Sequence, residues 1–401
     1  MSRRFHRPVA LLATTIALFA SAAAAQPAAT RRATIQSKIL GEERHIRVAL
    51  PANYATARQR YPVVYLLDGH VRAFFELAVA STGYDLLGNV RDFAIPPQIV
   101  VAVEHPDRGA DLGRNADAFM KYLTDEVAPY VEKNFRALPY RLLIGHSLGG
   151  RFALMASCRA PGFFQSVVAV SPGGGDSTAY RTITDCLRSD WSTNRGTLRQ
   201  LFVSSGEREA RIDEGAKRLR AFLRDSAPPT VRWQYLDGPG LAHTETPYLG
   251  IPAGIKFAWD RSVWEMPGAR ADSLVDAKGD PDEVLRAWYA ELSARTGVAI
   301  PPSPKWLDLA AAAHQRRGDA AAAERTARRL VADYPEFLGG YARLADLLVA
   351  KRDIDGARRV LDDAVRALER LEFFDATERS LKRKVLVDAL ARLNARERDR
   401  R

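Results

Sequence analysis

The run Leu142-Leu143-Ile144-Gly145-His146-Ser147-Leu148-Gly149-Gly150 holds the residue types and spacing in this chain best suited to covalent chemistry. An apolar, strand-like stretch ends in Gly-x-Ser-x-Gly, and a helical stretch from Arg151 to Arg159 follows at once. That order describes a nucleophile elbow, in which a serine sits on a sharp strand-to-helix turn with its Oγ above the sheet. The turn forces the serine into a sparsely populated backbone region, at a cost of about 1–3 kcal/mol. Gly145 and Gly149 suit the flanks because side chains there would collide with the neighbouring strand and helix.

A serine of this kind needs a base, and the partners of an elbow follow in the order Ser, acid, His. Of the seven histidines, only His243 and His314 lie after Ser147, and His314 falls in a separate helical region. His243 lies in Asp237-Gly238-Pro239-Gly240-Leu241-Ala242-His243-Thr244, a Gly-rich loop directly after the strand-like Val231–Leu236. It is therefore the expected general base. The acid is expected in the loop after the strand-like run 200–205, where Glu207, Glu209 and Asp213 compete. Glu209 is the first choice, with Glu207 and Asp213 as alternatives. Such an acid fixes the histidine tautomer and stabilises the imidazolium without taking the proton.

Two backbone N–H groups must face the developing oxyanion. One is expected from Leu148, the residue after the nucleophile. The other is expected from the loop Asp68-Gly69-His70 after the strand-like Pro62–Leu67, with the main-chain N–H of His70 as donor. Asp68 precedes the serine and is expected to brace this loop.

The elements that must position these residues read as alternating strands and helices. Strand-like segments are Thr34–Leu40, His45–Leu50, Val63–Leu67, Ile99–Val103, Leu142–Ile144, Ser166–Val170, Leu201–Ser204 and Val231–Leu236. Helical candidates are Ala116–Phe135, Leu148–Arg159, Glu214–Asp225 and Pro247–Asp260. The pattern predicts an α/β fold, a mainly parallel sheet with helices on both faces, and apolar runs such as Ile99–Val103 fit doubly buried strands. Ligands of such a sheet bind beyond the carboxyl ends of the strands, where Ser147, Glu209 and His243 all fall.

This α/β domain is expected over residues 32–262, followed by a Pro-, Gly- and charge-rich linker at 263–282. An all-α region is expected at 283–393, and a charged tail at 394–401. Within the all-α region, Gly318-Asp319-Ala320-Ala321-Ala322-Ala323 aligns with Arg352-Asp353-Ile354-Asp355-Gly356-Ala357 at an offset of 34 residues. A 34-residue period with small and large apolar residues in register resembles tetratricopeptide repeats. It implies a docking surface for a partner or a second copy of the chain, or a bundle that braces the first domain.

Residues 1–25 have the features of a secretory signal: Arg3, Arg4 and Arg7, a short apolar run from Val9 to Ala20, and Ala23-Ala24-Ala25 as a cleavage site before Gln26. Export to the periplasm or beyond is the expectation, with no integral membrane span in the mature chain. Of the formal +11 charge, the three signal arginines account for +3, leaving +8. That charge is dispersed, so nucleic-acid binding is not expected; a mildly cationic surface suits anionic substrates. The two cysteines, Cys158 and Cys186, are compatible with one disulfide in an oxidising compartment or with two buried thiols. No cluster of metal ligands is legible, and neither a cofactor nor a metal is expected.

Residues 62–262 resemble the esterase D and enterochelin-trilactone-esterase branch of the α/β-hydrolases. That branch includes salmochelin esterases, S-formylglutathione hydrolase, feruloyl esterases and mycolyltransferases. The likeness is carried by Tyr65-Leu66-Leu67-Asp68-Gly69, by Ala118-Phe119 through Val131, by Ile144–Gly150 and by Ala169-Val170-Ser171-Pro172. It is strongest toward the siderophore trilactone esterases, whose pattern places an acid three residues after the loop glycine, here Glu209 after Gly206. The resemblance departs at Gly173-Gly174-Gly175-Asp176, where relatives often carry bulky aromatics beside the acyl pocket. It implies a secreted serine carboxylesterase that works through an acyl-enzyme on a siderophore trilactone or another bulky ester. Acyl transfer by the same triad is the alternative. A non-catalytic scaffold, with the repeats as the working part, is the third reading.

Overall fold

The computed structural model describes residues 30–82, 95–173, 177–193, 196–276, 279–371 and 376–398. The expected signal and its cleavage site, the segment 174–176 and the last three residues of the tail lie outside them. Eight strands form one sheet: β1 (Thr30–Gln36), β2 (Glu43–Ala49), β3 (Tyr61–Leu66), β4 (Ile99–Val103), β5 (Ala137–His146), β6 (Ser166–Val170), β7 (Arg199–Gly206) and β8 (Val231–Gly238). Their order is β1-β2-β4-β3-β5-β6-β7-β8. β2 pairs antiparallel with β1 and β4, and every pairing from β4 to β8 is parallel.

Alternation along the central strands divides their side chains between two cores, as the period of two requires. Val63, Tyr65, Ile99, Val101 and Val103 face a cluster containing Phe119, Phe152, Leu187 and Leu219. Val64, Leu66, Val100 and Ala102 face the other side, with Phe75, Ile251, Ile255 and Trp288. The first cluster is closed by the helices Leu148–Arg159, Ser177–Thr193 and Ala210–Ser226, and the second by Arg72–Ala80 and Thr246–Ala258.

Several boundaries differ from the sequence expectations. The first strand starts at Thr30 and ends at Gln36. Residues 37–41 turn instead of extending it: Gly41 has φ 72° and its N–H reaches Ser37 O at 3.0 Å. The helix expected at 116–135 begins earlier, with π-type turns at Ala110–Arg114 and Tyr122–Val127. The helices Arg72–Ala80 and Ser177–Thr193 had no counterpart in the sequence reading.

The expected linker 263–282 is a structured seam. It carries the end of the helix Arg261–Trp264, all of Gly268–Val275, and the start of Pro281–Thr296. Val263, Trp264, Met266 and Leu274 are buried in the same cluster as Trp288, Trp306 and Tyr334. Its Pro, Gly and charge content suggested a linker, but four apolar side chains with a face of the sheet to cover decided otherwise.

Beyond it, helix pairs Pro304–Arg316 with Ala320–Asp333 and Leu338–Ala350 with Ile354–Glu369 recur 34 positions apart, their starts at 304 and 338 and at 320 and 354. Asp319 and Asp353 cap the second helix of each pair through the Ala322 and Gly356 N–H groups at 2.9 and 2.8 Å. The last helix spans Ala376–Arg398, so the expected tail begins inside it. Lys305 pairs with Glu265, and Glu336 accepts from Asn53 and Gln59 at 3.2 and 3.4 Å, which binds the helical region to the sheet side.

Candidate active site

Strand register brings the candidate residues to one edge. His146 lies opposite Val170, Val170 opposite Ser204, and Gly206 opposite Gly238. The loops that leave β5, β6, β7 and β8 therefore emerge side by side, carrying Ser147, Ser171, Glu209 and His243.

Ser147 has φ 58° and ψ −123°, between β5 and the helix that starts at Leu148. A side chain at Gly145 would put its Cβ 2.2 Å from the Gly149 carbonyl oxygen, which is why this turn needs glycine. The turn is tied to its neighbour by Ser147 N–H to Val170 O at 2.9 Å and Gly173 N–H to Ser147 O at 2.8 Å. Gly173 borders the serine directly: a Cβ there would lie 3.2 Å from Ser147 Oγ and 3.1 Å from the Leu148 nitrogen. A side chain at 173 would therefore crowd the Oγ and the Leu148 N–H.

Among the three candidate acids, Glu209 meets His243, with Oε1 2.5 Å from Nδ1. Its Oε2 accepts from the Gly206 N–H at 2.8 Å and from Ser171 Oγ at 2.8 Å. Burial raises the pKa of this carboxyl, but the hydrogen bonds from His243, Gly206 and Ser171 outweigh burial and hold it below the usual glutamate value. The Glu209 side chain is 1% exposed and that of His243 35%, so the carboxylate is a buried anchor and the imidazole opens outward.

The other two acids serve the surroundings. Glu207 accepts from the Gly240 N–H at 2.8 Å, which pins the histidine loop. Asp213 binds Ser205 Oγ at 2.8 Å and Lys217 at 2.6 Å.

Supporting residues that the sequence reading did not single out complete the frame. Thr246 bridges Ser171 Oγ at 2.7 Å and the His243 carbonyl at 3.0 Å. The His146 ring lies 4.5 Å from the His243 ring, centroid to centroid, and its Nε2 donates to the His243 carbonyl at 2.9 Å. Burial, and then the charge of His243, lower the His146 pKa to about 4, so it remains a neutral donor near neutral pH. The weak signal for Ser171 was the Ser-Pro after β6; nothing in the sequence marks Thr246.

On the other side, Asp68 is buried at φ 59° and binds Arg108 through two bonds of 2.5 and 2.9 Å. Arg108 also donates to the His146 carbonyl at 2.9 Å. Asp68 thus locks the loop after β3 to the elbow. Gly69 gives its N–H to Val103 O at 2.7 Å, and a Cβ there would lie 2.7 Å from the Ala102 carbonyl carbon. Arg47 donates to the Gly69 carbonyl. The next N–H along this loop belongs to His70, whose side chain is exposed.

Cys158 and Cys186 form a disulfide between the helices Leu148–Arg159 and Ser177–Thr193. No helix among the described residues is long and apolar enough to cross a membrane.

Residues 37–237 match the family described as "Putative esterase". The chain belongs to this family. It is a carboxylic ester hydrolase of the α/β-hydrolase fold. It is 24% identical over 228 residues to the ferri-bacillibactin esterase BesA of Bacillus subtilis, covering 49% of this chain and 78% of that protein. It is 26% identical over 187 residues to the uncharacterized protein YbbA of the same organism, covering 44% of this chain and 72% of that protein. Among solved structures, an IroE-like serine hydrolase from Shewanella oneidensis superposes with a TM-score of 0.59 at 20% identity, over 75% of this chain and 98% of that one. An uncharacterised protein from Capnocytophaga ochracea superposes with a TM-score of 0.57 at 16% identity, over 92% of this chain and all of that one. That second share takes the likeness beyond the sheet into the helical region.

Proposed function

We propose that this esterase is an exported serine hydrolase that cleaves bulky esters of the siderophore trilactone class through a Ser147–His243–Glu209 triad. The observation that carries the triad is the Glu209 carboxylate on His243 Nδ1, held beside the strained turn of Ser147. With the Nδ1 proton engaged by Glu209, Nε2 is free to take the proton of Ser147 as Oγ attacks the ester carbonyl. The Leu148 and His70 N–H groups receive the oxyanion. His243 then protonates the departing alkoxide. Water, activated by the same imidazole, splits the acyl-enzyme into the carboxylic acid and free Ser147.

The substrate class rests on the likeness to an esterase named for ferri-bacillibactin. Export is supported by the signal-like residues 1–25 and by the disulfide, which persists in oxidising compartments. The helix pairs at 34-residue spacing fit tetratricopeptide-type repeats.

The test is turnover of a p-nitrophenyl ester series and of a cyclic tricatecholate trilactone, with fluorophosphonate labelling, in the wild type and in Ser147→Ala. Loss of the nucleophile is expected to lower kcat by about 10⁶ and to abolish labelling. Labelling that survives in the mutant would remove Ser147 from the mechanism. Rapid turnover of small esters with none of the trilactone would remove the siderophore assignment and leave the triad standing.

A further inference from the structure

We propose that Asp280, Asp282 and His314 bind a divalent first-row transition-metal ion of the zinc type and so clip together the first two helices of the C-terminal region. One ligand atom from each residue lies within 4.8 Å of the others. Two of them sit at the start of the helix Pro281–Thr296 and the third near the end of Pro304–Arg316.

Asp280 caps its helix with Oδ1, which accepts from the Asp282 N–H at 3.0 Å, so its second oxygen remains available. Among the described residues, neither carboxylate pairs with an arginine or lysine.

The observation that points to a ligand, beyond the acidic pair itself, is His314. Its side chain is 5% exposed, and Nε2 faces Asp282 Oδ1 at 3.3 Å. That approach is an ion pair only when the imidazole is protonated; its geometry is not that of a hydrogen bond, and Nε2 has no hydrogen-bond partner among the described residues. A buried polar atom left unsatisfied costs about 1–3 kcal/mol, and a cation placed between the imidazole and the two carboxylates removes that cost.

The donor set selects the metal. One imidazole nitrogen with two carboxylates suits zinc and its first-row neighbours, whereas calcium and magnesium favour all-oxygen shells. Metal–ligand bonds of about 2.0–2.2 Å require the ligand atoms to draw slightly closer together. The exposed Asp280 side chain has the rotamer freedom to do so. Three protein ligands leave a fourth position for water. A groove of about 590 Å³ lined by Asp282, Arg286, Tyr289 and Arg325 adjoins the cluster at Asp282. The clip would fasten the helix Pro281–Thr296, which carries the buried Trp288, to the next helix without touching the esterase site.

The experiment uses the full chain, free of any tag and stripped with chelator, with Zn²⁺ alone as the probe. Equilibrium dialysis with elemental analysis, and titration calorimetry, measure uptake by the wild type, His243→Ala, Asp282→Asn and His314→Gln. One zinc per chain in the wild type and in His243→Ala is expected, with affinity at least about tenfold weaker in Asp282→Asn and in His314→Gln. Asp282→Asn removes a half-exposed charge and keeps the backbone cap, so a folding failure would not mask its result. No stoichiometric uptake by the wild type, or uptake unchanged in Asp282→Asn, overturns the site. Uptake lost in His243→Ala alone would place the ion at the esterase site and overturns it equally.

Discussion

Replacing Glu209 by glutamine tests the site more sharply than deleting the serine, because it swaps one carboxylate oxygen for an NH₂ group with almost no change of volume. Glu209 Oε2 accepts from Gly206 N–H and from Ser171 Oγ, both at 2.8 Å. The backbone N–H can only donate, so the amide oxygen of a glutamine must take that place. Its NH₂ group is then directed at His243 Nδ1, where the carboxylate oxygen now sits at 2.5 Å. An amide donor forces Nδ1 to accept, and the imidazole proton moves to Nε2. That tautomer cannot receive the proton of Ser147. The equivalent wrong-tautomer change in a serine protease triad lowers kcat by about 10⁴, which corresponds to about 5.4 kcal/mol of barrier at 1.36 kcal/mol per tenfold. The assay is kcat on a p-nitrophenyl ester for Glu209→Gln beside Asp213→Asn and Glu207→Gln, with circular dichroism to verify folding. Only Glu209→Gln is expected to approach the full loss. A folded Glu209→Gln that retains turnover within about tenfold of the wild type, or an equal loss in Asp213→Asn, would refute the tautomer argument.

Other perturbations probe the frame around the triad. Gly173→Ala places a methyl about 3 Å from Ser147 Oγ and the Leu148 nitrogen; kcat is expected to fall by about 10², with the unfolding midpoint preserved. Replacing Cys158 and Cys186 together by alanine opens a link between residues 28 apart. Chain-entropy arguments put the loss at about 3–4 kcal/mol, readable by urea unfolding in oxidising buffer. Burial raises the Glu336 carboxyl from 4.5 to about 7, so the folded state holds its proton more tightly than the unfolded chain. Stability from this group is full below about pH 4.5 and is lost as pH rises through about 7, by up to about 3 kcal/mol. Glu336→Gln is therefore expected to gain stability over the wild type at about pH 8.5 and little at about pH 4, as measured by denaturant midpoints at the two pH values.

The strands were legible where apolar runs are continuous, as in Ile99–Val103, because a strand buried on both faces needs no help from its neighbours to declare itself. Edges read less well. The first strand slid to Thr30–Gln36 because its register is set by pairing with β2, and residues 37–39 instead receive Glu126 from a distant helix. The segment 263–282 read as linker because Pro, Gly and charge dominate its composition, while the burial of Trp264 and Leu274 depends on a sheet face contributed by residues far away.

By itself the sequence determined the elbow, the order Ser147, acid, His243 and the 34-residue recurrence. Each of these is local: a turn that demands glycine, a count of histidines after a serine, a helix-pair length. Tertiary structure alone decided which of Glu207, Glu209 and Asp213 faces His243, that Ser171 and Thr246 hold that pair, and that Asp68 spends its charge on Arg108. It also decided that Asp280 and Asp282 meet a histidine more than thirty positions away. These outcomes depend on which loop ends a parallel register sets side by side, and on which helix ends pack together. Directions and distances of a few ångströms are properties of the assembled sheet and its helices, and no window of sequence contains them.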